Sequence, residues 1–183
     1  MKQNDWDIEF AEVEPRYAED ANYWQTTVHP AKSQAGIIEQ LEDFGTTNMM
    51  IAQGQTSGRM AWLVRFEWQG RSYRFTFTPL PCRNPDKASS FGGKRRIHTK
   101  QAEYQMGRVA LHFVKAILTA AEAQPHALFG FVELPGVGSY PGGLPVTAGD
   151  LDVEGLTDTL PSLDVGAETP FLLSPGSEIA RLP

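Results

Sequence analysis

Two consecutive segments with alternating apolar and polar residues constrain the fold most strongly. In the run WLVRFEWQGRSYRFTFT, residues 62–78, every second side chain is large and apolar on both sides of Gln69-Gly70. This period of two predicts two half-buried antiparallel strands joined by a two-residue turn. The short loop fixes the register and places Phe66 opposite Tyr73, because a slip by one residue would mix the apolar and polar faces.

The same register places Arg65 opposite Arg74 on the other face of this hairpin. Like charges that face each other across strands cost a few tenths to about 1 kcal/mol. Glu67 lies diagonal to Arg74 and can offset part of that repulsion, which favours two solvated arginines. The alternative is an anion site in which a phosphate bridges the two guanidinium groups. The sequence leaves both interpretations open.

Two helices are expected to flank the hairpin. Apolar residues recur at helical spacing over residues 33–44, and Gly45 follows where a left-handed C-terminal cap is needed. Thr99 is expected to cap a longer helix over residues 99–123, which ends before Pro125. Its buried stripe is predicted at spacings of three and four, namely Ala102, Met106, Val109, Phe113, Ile117 and Ala120.

The remaining segments complete an α+β interpretation. Residues 48–53 are expected to form a first strand, residues 79–98 a loop, and residues 126–136 one more strand or a docking segment. A small antiparallel β-sheet centred on the 62–78 hairpin and packed by the 99–123 helix is therefore the predicted core.

Three regions are predicted along the chain. Residues 1–32 alternate acidic and aromatic side chains and are expected to form an arm, with a short strand near residues 6–13. Residues 33–134 form the core domain. Residues 135–183 contain 7 Pro, 8 Gly and 7 acidic residues, so they cannot build a core and are expected to be a disordered or irregular acidic tail.

The charge distribution indicates more than the net charge of −6 does. Residues 1–58 have a balance of −7 and residues 116–183 a balance of −8, whereas residues 59–115 carry 12 basic and 3 acidic side chains. A basic segment of this kind favours binding to a polyanion. The predicted nucleic-acid contacts come from the hairpin, the basic loop and the polar stripe of the long helix: Arg65, Arg74, Lys94, Arg95, Arg96, Lys100, Arg108 and Lys115.

Signatures of other chemistry are weak. SFGGKRR lacks the spacing of a phosphate-binding P-loop, and the four His residues show no metal-ligand spacing, so no metal and no cofactor are expected. Cys82 is the single cysteine, which fits a reducing compartment, and no local His partner marks it as a nucleophile. The acidic N-terminus is unlike a signal peptide, and no stretch is long enough to span a membrane. A cytoplasmic protein that is not an enzyme is the expectation.

Two resemblances bear on function. The stretches IIEQLEDFG, VRFEWQGRSYRFTFTPLP, QAEYQMGRVALHFVKAILTAAEAQ and FVELPG resemble small uncharacterised proteins of phages and mobile elements. That resemblance implies a context in which nucleic-acid or protein binding is common, and it brings no catalytic residues. The predicted order of helix, three strands, basic loop and helix over residues 33–123 is similar to the double-stranded RNA-binding domain. This second resemblance implies that Lys94, Arg95, Arg96 and Lys100 contact phosphates.

The leading functional hypothesis is a nucleic-acid-binding accessory protein of a phage or mobile element, with no preference between single and double strands. The alternative is a protein-interaction or structural module, in which the basic surface binds an acidic partner or another copy of the chain. In either case the acidic tail is a candidate competitor for the basic surface, because the two carry opposite charge.

Overall fold

A three-stranded antiparallel sheet forms the centre of the fold. The computed structural model describes residues 16–56, 59–139 and 143–151. Strands β1 (Thr47–Thr56), β2 (Arg59–Trp68) and β3 (Arg71–Phe77) lie in the order β1-β2-β3. The predicted β2–β3 register is confirmed, with Phe66 opposite Tyr73 and Arg65 opposite Arg74. The turn is tight because Gln69 and Gly70 both adopt positive φ angles, of 49° and 73°.

Two helices pack against the sheet, and the predicted α+β class is confirmed. Helix α1 spans Pro30–Asp43 and helix α2 spans His98–Ala123. Helix α1 begins three residues earlier than predicted, because Pro30 is suited to a first helical position and the His29 ring accepts the N–H of Ala31. Gly45 caps the far end as expected, with φ 79° and its N–H donated to the Glu42 carbonyl.

The core lies between the sheet and the two helices. Most of the alternate large side chains of the hairpin are buried there, with Trp62, Phe66 and Phe75 at most 1% exposed, whereas Trp68 and Phe77 are half-buried. Helix α2 approaches α1 closely at Gly107. A Cβ atom at that position would lie 2.9 Å from Trp62 Cη2 and 3.5 Å from Pro30 Cα. The absence of a side chain therefore sets the depth at which α2 packs.

Helix α2 differs from the prediction in its cap and in its buried stripe. The N-cap is Ile97, and the Thr99 hydroxyl donates to the Pro85 carbonyl, 2.9 Å away. Val109 is 42% exposed, and the stripe continues instead through Ala110, Val114 and Leu118. The apolar pattern alone could not select this stripe, because α2 is covered on two sides and buries polar residues as well.

The second cover of α2 is the segment that precedes α1. Residues 17–28 run along the helix, and Ala18 is fully buried. The amide nitrogen of Gln105 donates to the carbonyls of Ala18, Ala21 and Asn22, and that of Gln101 donates to the carbonyls of residues 24 and 26. This part of the predicted N-terminal arm is therefore integral to the core, whereas the strand predicted at residues 6–13 lies outside the described residues.

The predicted loop of residues 79–98 contains a second hairpin. Strand β4 (Ala88–Phe91) pairs with strand β5 (Lys94–Ile97) around Gly92-Gly93, whose φ angles of 56° and 78° suit a two-residue turn. The buried Phe91 anchors this hairpin to the protein. The sequence signal was weak because KRRI does not alternate between apolar and polar residues.

Ordered structure also continues past the predicted tail boundary at residue 135. A turn of 3₁₀ helix at Pro125–Phe131 leads into strand β6 (Glu133–Ser139), which pairs with strand β7 (Pro145–Thr147). Val132 forms a bridge with Tyr73 and thereby joins this segment to β3. The predicted tail from residue 152 onward lies outside the described residues. In the part of the chain that is described, no helix has the length and apolarity needed to cross a membrane.

Candidate functional site

The two arginines that face each other across β2 and β3 are engaged by the C-terminal segment. Arg65 donates from Nε and Nη2 to Glu133 Oε2, at 3.0 and 2.7 Å. The Arg74 side chain is 4% exposed; its Nη1 donates to the Pro145 carbonyl at 2.7 Å, and its Nη2 lies 3.4 Å from Asp150 Oδ2. The repulsion expected from the register is therefore relieved by carboxylates within the chain. Arg74 does not present its guanidinium to solvent.

The β4–β5 hairpin presents three consecutive cations. Lys94 and Arg95 are exposed. Arg96 is half-buried, with its guanidinium 4.1 Å above the Tyr104 ring and its Nη1 donated to Gln101 Oε1 at 2.8 Å. Stacking on an aromatic ring leaves the edge of a guanidinium free to donate to a planar or tetrahedral anion. Two exposed cations and one positioned cation thus share the hairpin.

Helix α2 continues this cationic surface. Lys100 and Lys115 are exposed, and Arg108 is half-buried beside a groove of about 640 Å³ that is also lined by Tyr23 and Trp24. Lys100 contacts Glu103. From Lys100 to Lys115 the helix rises about 22 Å. The predicted polar stripe of α2 does face solvent.

These cations lie on two elements that follow each other directly in the chain, β5 and α2. Residues 87–102 contain five Lys and Arg side chains and no Asp or Glu. Along β5, Lys94 and Arg96 project from one side of the hairpin and Arg95 from the other. We define the basic face as the exposed and half-buried cations of β5 and α2: Lys94, Arg95, Arg96, Lys100, Arg108 and Lys115. Six of the eight predicted contact residues belong to this face, whereas Arg65 and Arg74 lie on β2 and β3 and contact carboxylates of the C-terminal segment.

A second cluster, behind the hairpin, joins three elements. Ser89 Oγ of β4 lies 2.9 Å from His98 Nε2, and His98 Nδ1 lies 3.1 Å from Glu19 Oε1. Glu19 belongs to a 3₁₀ turn at Ala18–Asp20. The His98 side chain is 7% exposed, and the edge of its ring contacts Trp24 at a centroid distance of 5.1 Å. The three side chains form a continuous hydrogen-bonded chain.

The protonation of this cluster follows from its hydrogen bonds. Burial raises the pKa of Glu19, but hydrogen bonds from its own backbone N–H, the Arg83 N–H and His98 outweigh this effect and lower the pKa below its ordinary value. Glu19 is therefore an anion at neutral pH and only accepts hydrogen bonds. The proton of neutral His98 consequently lies on Nδ1, and Nε2 accepts the Ser89 hydroxyl.

No pattern in the sequence indicated this cluster. Glu19 lies 79 residues from His98, and the nine-residue separation of Ser89 and His98 is meaningful only once the β4–β5 register is known. The one signal was a His at the start of the long helix, which spacing rules for metal or catalytic motifs pass over.

Cys82 does not supply a competing nucleophile. Burial, together with the nearby Glu19 charge, raises the pKa of the Cys82 thiol to about 11, so the thiol stays protonated at neutral pH. Within the described ranges, no group of three or more His, Cys, Asp or Glu side chains is placed to hold a metal ion.

The chain was compared with protein families, curated proteins and solved structures. No family model, no curated protein and no solved structure matches this chain. The function is therefore inferred from the basic face and from the Ser89–His98–Glu19 cluster, each judged by what its side chains can bind or do.

Proposed function

We propose that the protein binds nucleic acid through the basic face. The observation that carries this proposal is the run of five cations in residues 87–102, which leads through the β4–β5 hairpin to the start of α2 with no Asp or Glu within it; Lys100, at its end, pairs with Glu103. Like charges held this closely repel each other in the free protein. A polyphosphate backbone relieves that repulsion, whereas most other ligands do not.

The geometry of the face favours contacts with phosphates rather than with bases. Arg96 is held by Tyr104 and Gln101, so it contributes a fixed guanidinium at the base of the hairpin. Lys94 and Arg95 project beyond it, and the cations of α2 extend the surface along the helix. Phosphate contacts of this kind give affinity and position without base specificity.

The most deeply buried aromatics of the sheet cannot act as stacking platforms. Trp62 and Phe75 are buried beneath the helices, so they are closed to bases of a single strand. The proposed mode is accordingly electrostatic, and its affinity depends steeply on salt.

Fluorescence-anisotropy titration of the full chain tests the proposal. Single- and double-stranded oligonucleotides of both DNA and RNA are titrated over a series of salt concentrations starting at about 50 mM, where phosphate contacts are strong. We expect binding whose affinity falls linearly with salt on logarithmic axes. No binding of any oligonucleotide at the lowest salt would overturn the proposal.

A further inference from the structure

We propose that Ser89 is a nucleophile, activated by His98 and Glu19, that accepts the acyl group of carboxylic esters. This activity goes beyond nucleic-acid binding, and none of the sequence patterns indicated it. The two distances that carry the proposal are 2.9 Å from Ser89 Oγ to His98 Nε2 and 3.1 Å from His98 Nδ1 to Glu19 Oε1. A nucleophile, a base and an orienting carboxylate at these separations form the arrangement that activates a serine.

The direction of each hydrogen bond fits that role. Ionised Glu19 accepts the Nδ1 proton of His98, which leaves the Nε2 lone pair facing the Ser89 hydroxyl. The carboxylate also stabilises the imidazolium that forms when His98 takes up the hydroxyl proton. The backbone N–H of Arg83 fixes Glu19 through bonds of 3.1 and 3.2 Å to its two oxygens.

The His98 ring is held rigidly while Ser89 remains reachable. The backbone N–H of His98 donates to the Lys87 carbonyl at 2.8 Å, and Trp24 and Phe91 contact the ring edge-on. Ser89 is only half-buried. A base that is shielded from water beside a nucleophile that solvent can reach is the condition that acyl transfer needs.

A cation occupies the cross-strand position opposite Ser89. Arg96 is the direct cross-strand partner of Ser89, so both side chains project from the same face of the β4–β5 hairpin. Negative charge develops on the carbonyl oxygen of an ester when a nucleophile adds to it, and a nearby guanidinium stabilises that charge. Arg96 is therefore the residue proposed to face the oxyanion.

The proposed reaction conserves atoms and charge. Ser89 Oγ bonds to the ester carbonyl carbon as His98 Nε2 takes the hydroxyl proton. The bond from that carbon to the alcohol oxygen breaks, and His98 returns the proton to the departing alcohol. Water then adds to the acyl-serine, again losing a proton to His98. The carboxylic acid leaves, and the proton restores the Ser89 hydroxyl.

A fluorophosphonate probe tests the nucleophile directly. The full chain is incubated with the probe, and the adduct is located by intact mass and peptide mapping. We expect a single adduct on Ser89 with loss of fluoride, and no adduct in Ser89→Ala. The matched control is Ser90→Ala, which removes the neighbouring exposed hydroxyl and should label at the wild-type rate.

Variants of the partners separate activation from structural support. His98→Gln should slow labelling by about 100-fold or more, since it removes the base. Glu19→Gln should also slow labelling, whereas Glu19→Asp should retain part of the rate if the carboxylate orients His98. The proposal would be overturned if the wild-type protein did not label, or if labelling persisted in Ser89→Ala. Neither test requires a folded His98 variant.

The same probe distinguishes this proposal from nucleic-acid binding. Lys94→Ala/Arg95→Ala removes two cations of the basic face and leaves the three reacting side chains in place. Labelling of this double variant at the wild-type rate, with its oligonucleotide affinity reduced, is the expected result. A proportionate loss of labelling would show that Ser89 reactivity reports only on the shape of the hairpin, and would contradict the proposal.

Discussion

Gly92 shows how a single residue fixes the position of the basic hairpin. Its φ angle is 56°, and a Cβ atom there would lie 2.4 Å from Thr27 Cγ2. Gly93, the other residue of the turn, has a φ angle of 78° but open space around it. The hairpin therefore lies against the Thr27 side chain of the segment before α1, and a side chain at position 92 would require Thr27 to shift.

This contrast predicts that substitution by alanine lowers the free energy of unfolding more at Gly92 than at Gly93. Gly93→Ala should lower the free energy of unfolding by about 1 kcal/mol, because alanine disfavours a left-handed backbone. Gly92→Ala should lower the free energy of unfolding somewhat more, since the exposed Thr27 side chain must also rotate away from the added Cβ atom. Urea denaturation of both variants measures the difference. Equal costs would show that the hairpin does not pack on Thr27.

Protonation of Glu19 at low pH should weaken the hydrogen bonds of the Ser89–His98–Glu19 cluster. Because its pKa is lower in the folded protein than in the unfolded chain, ionised Glu19 stabilises the fold at all pH values above its unfolded pKa of about 4.3. That contribution disappears as the pH falls through the lowered folded pKa.

The matching experiment compares wild type with Glu19→Gln over a range of pH. The difference in unfolding free energy between them should shrink as the pH falls below about 4, because protonated Glu19 no longer supplies the stabilisation that Gln lacks. Chemical denaturation at each pH provides the measurement. A difference that does not shrink below about pH 4 would mean that Glu19 is not held as an anion.

At the scale of elements, the sequence predicts those whose geometry is set locally. The β2–β3 register was predictable because a two-residue turn leaves one pairing that keeps Trp62, Phe66 and Phe75 on one face. The buried stripe of α2 was not predictable, because Gln101 and Gln105 are buried by hydrogen bonds to a segment about 80 residues away. Hydrogen bonds between polar side chains and distant parts of the chain produce no periodic pattern in the sequence.

The docking of β6 beside β3 also depends on partners that are distant in sequence. Glu133 is 1% exposed at its side chain and lies between Arg65 and Arg74, at 2.7 and 3.8 Å. Sequence reasoning placed these arginines at a phosphate or in solvent, because the carboxylate that meets them lies about 60 residues later in the chain. The charges themselves were visible, whereas their pairing was not.

Substitution of Glu133 should therefore lower the free energy of unfolding, and a second substitution at Arg74 should restore part of it. Glu133→Leu removes the carboxylate that Arg65 binds and that lies 3.8 Å from Arg74. It should lower the free energy of unfolding by less than the roughly 3 to 5 kcal/mol of a fully uncompensated buried charge, because Arg74 keeps Asp150 and the Pro145 carbonyl. Glu133→Leu/Arg74→Met should recover part of that loss, because the charges left behind, Arg65 and Asp150, are both partly exposed. Thermal and urea unfolding of the two variants measure the recovery. Additive losses in the double variant would contradict the coupling.

For the whole molecule, the residues that the structure describes and the two ends of the sequence carry opposite charge. The described residues contain 14 Lys and Arg against 11 Asp and Glu, a balance of +3. Residues 1–15 have a balance of −4 and residues 152–183 a balance of −5. The acidic pI of about 5.2 therefore comes from the ends of the sequence, although the described residues are cationic.

This asymmetry predicts that the ends weaken oligonucleotide binding. Removal of residues 152–183 should raise affinity at low salt, and the gain should fade as salt screens the interaction. Anisotropy titrations of the full and shortened chains at matched salt concentrations measure it. Equal affinities at low salt would exclude competition by the C-terminal acids.

The proposed binding of nucleic acid depends on where the cations lie, on the basic face, and not on the number of cations alone. The most direct test compares two double variants of equal charge, Lys94→Ala/Arg95→Ala on the face and Arg59→Ala/Arg71→Ala at the first residues of β2 and β3, by anisotropy over a salt series. All four side chains are exposed, so both variants should fold. Only the first variant should lose affinity, with the salt slope reduced by about 0.7 to 0.9 for each phosphate contact removed. Equal losses of affinity and slope in the two variants would contradict it.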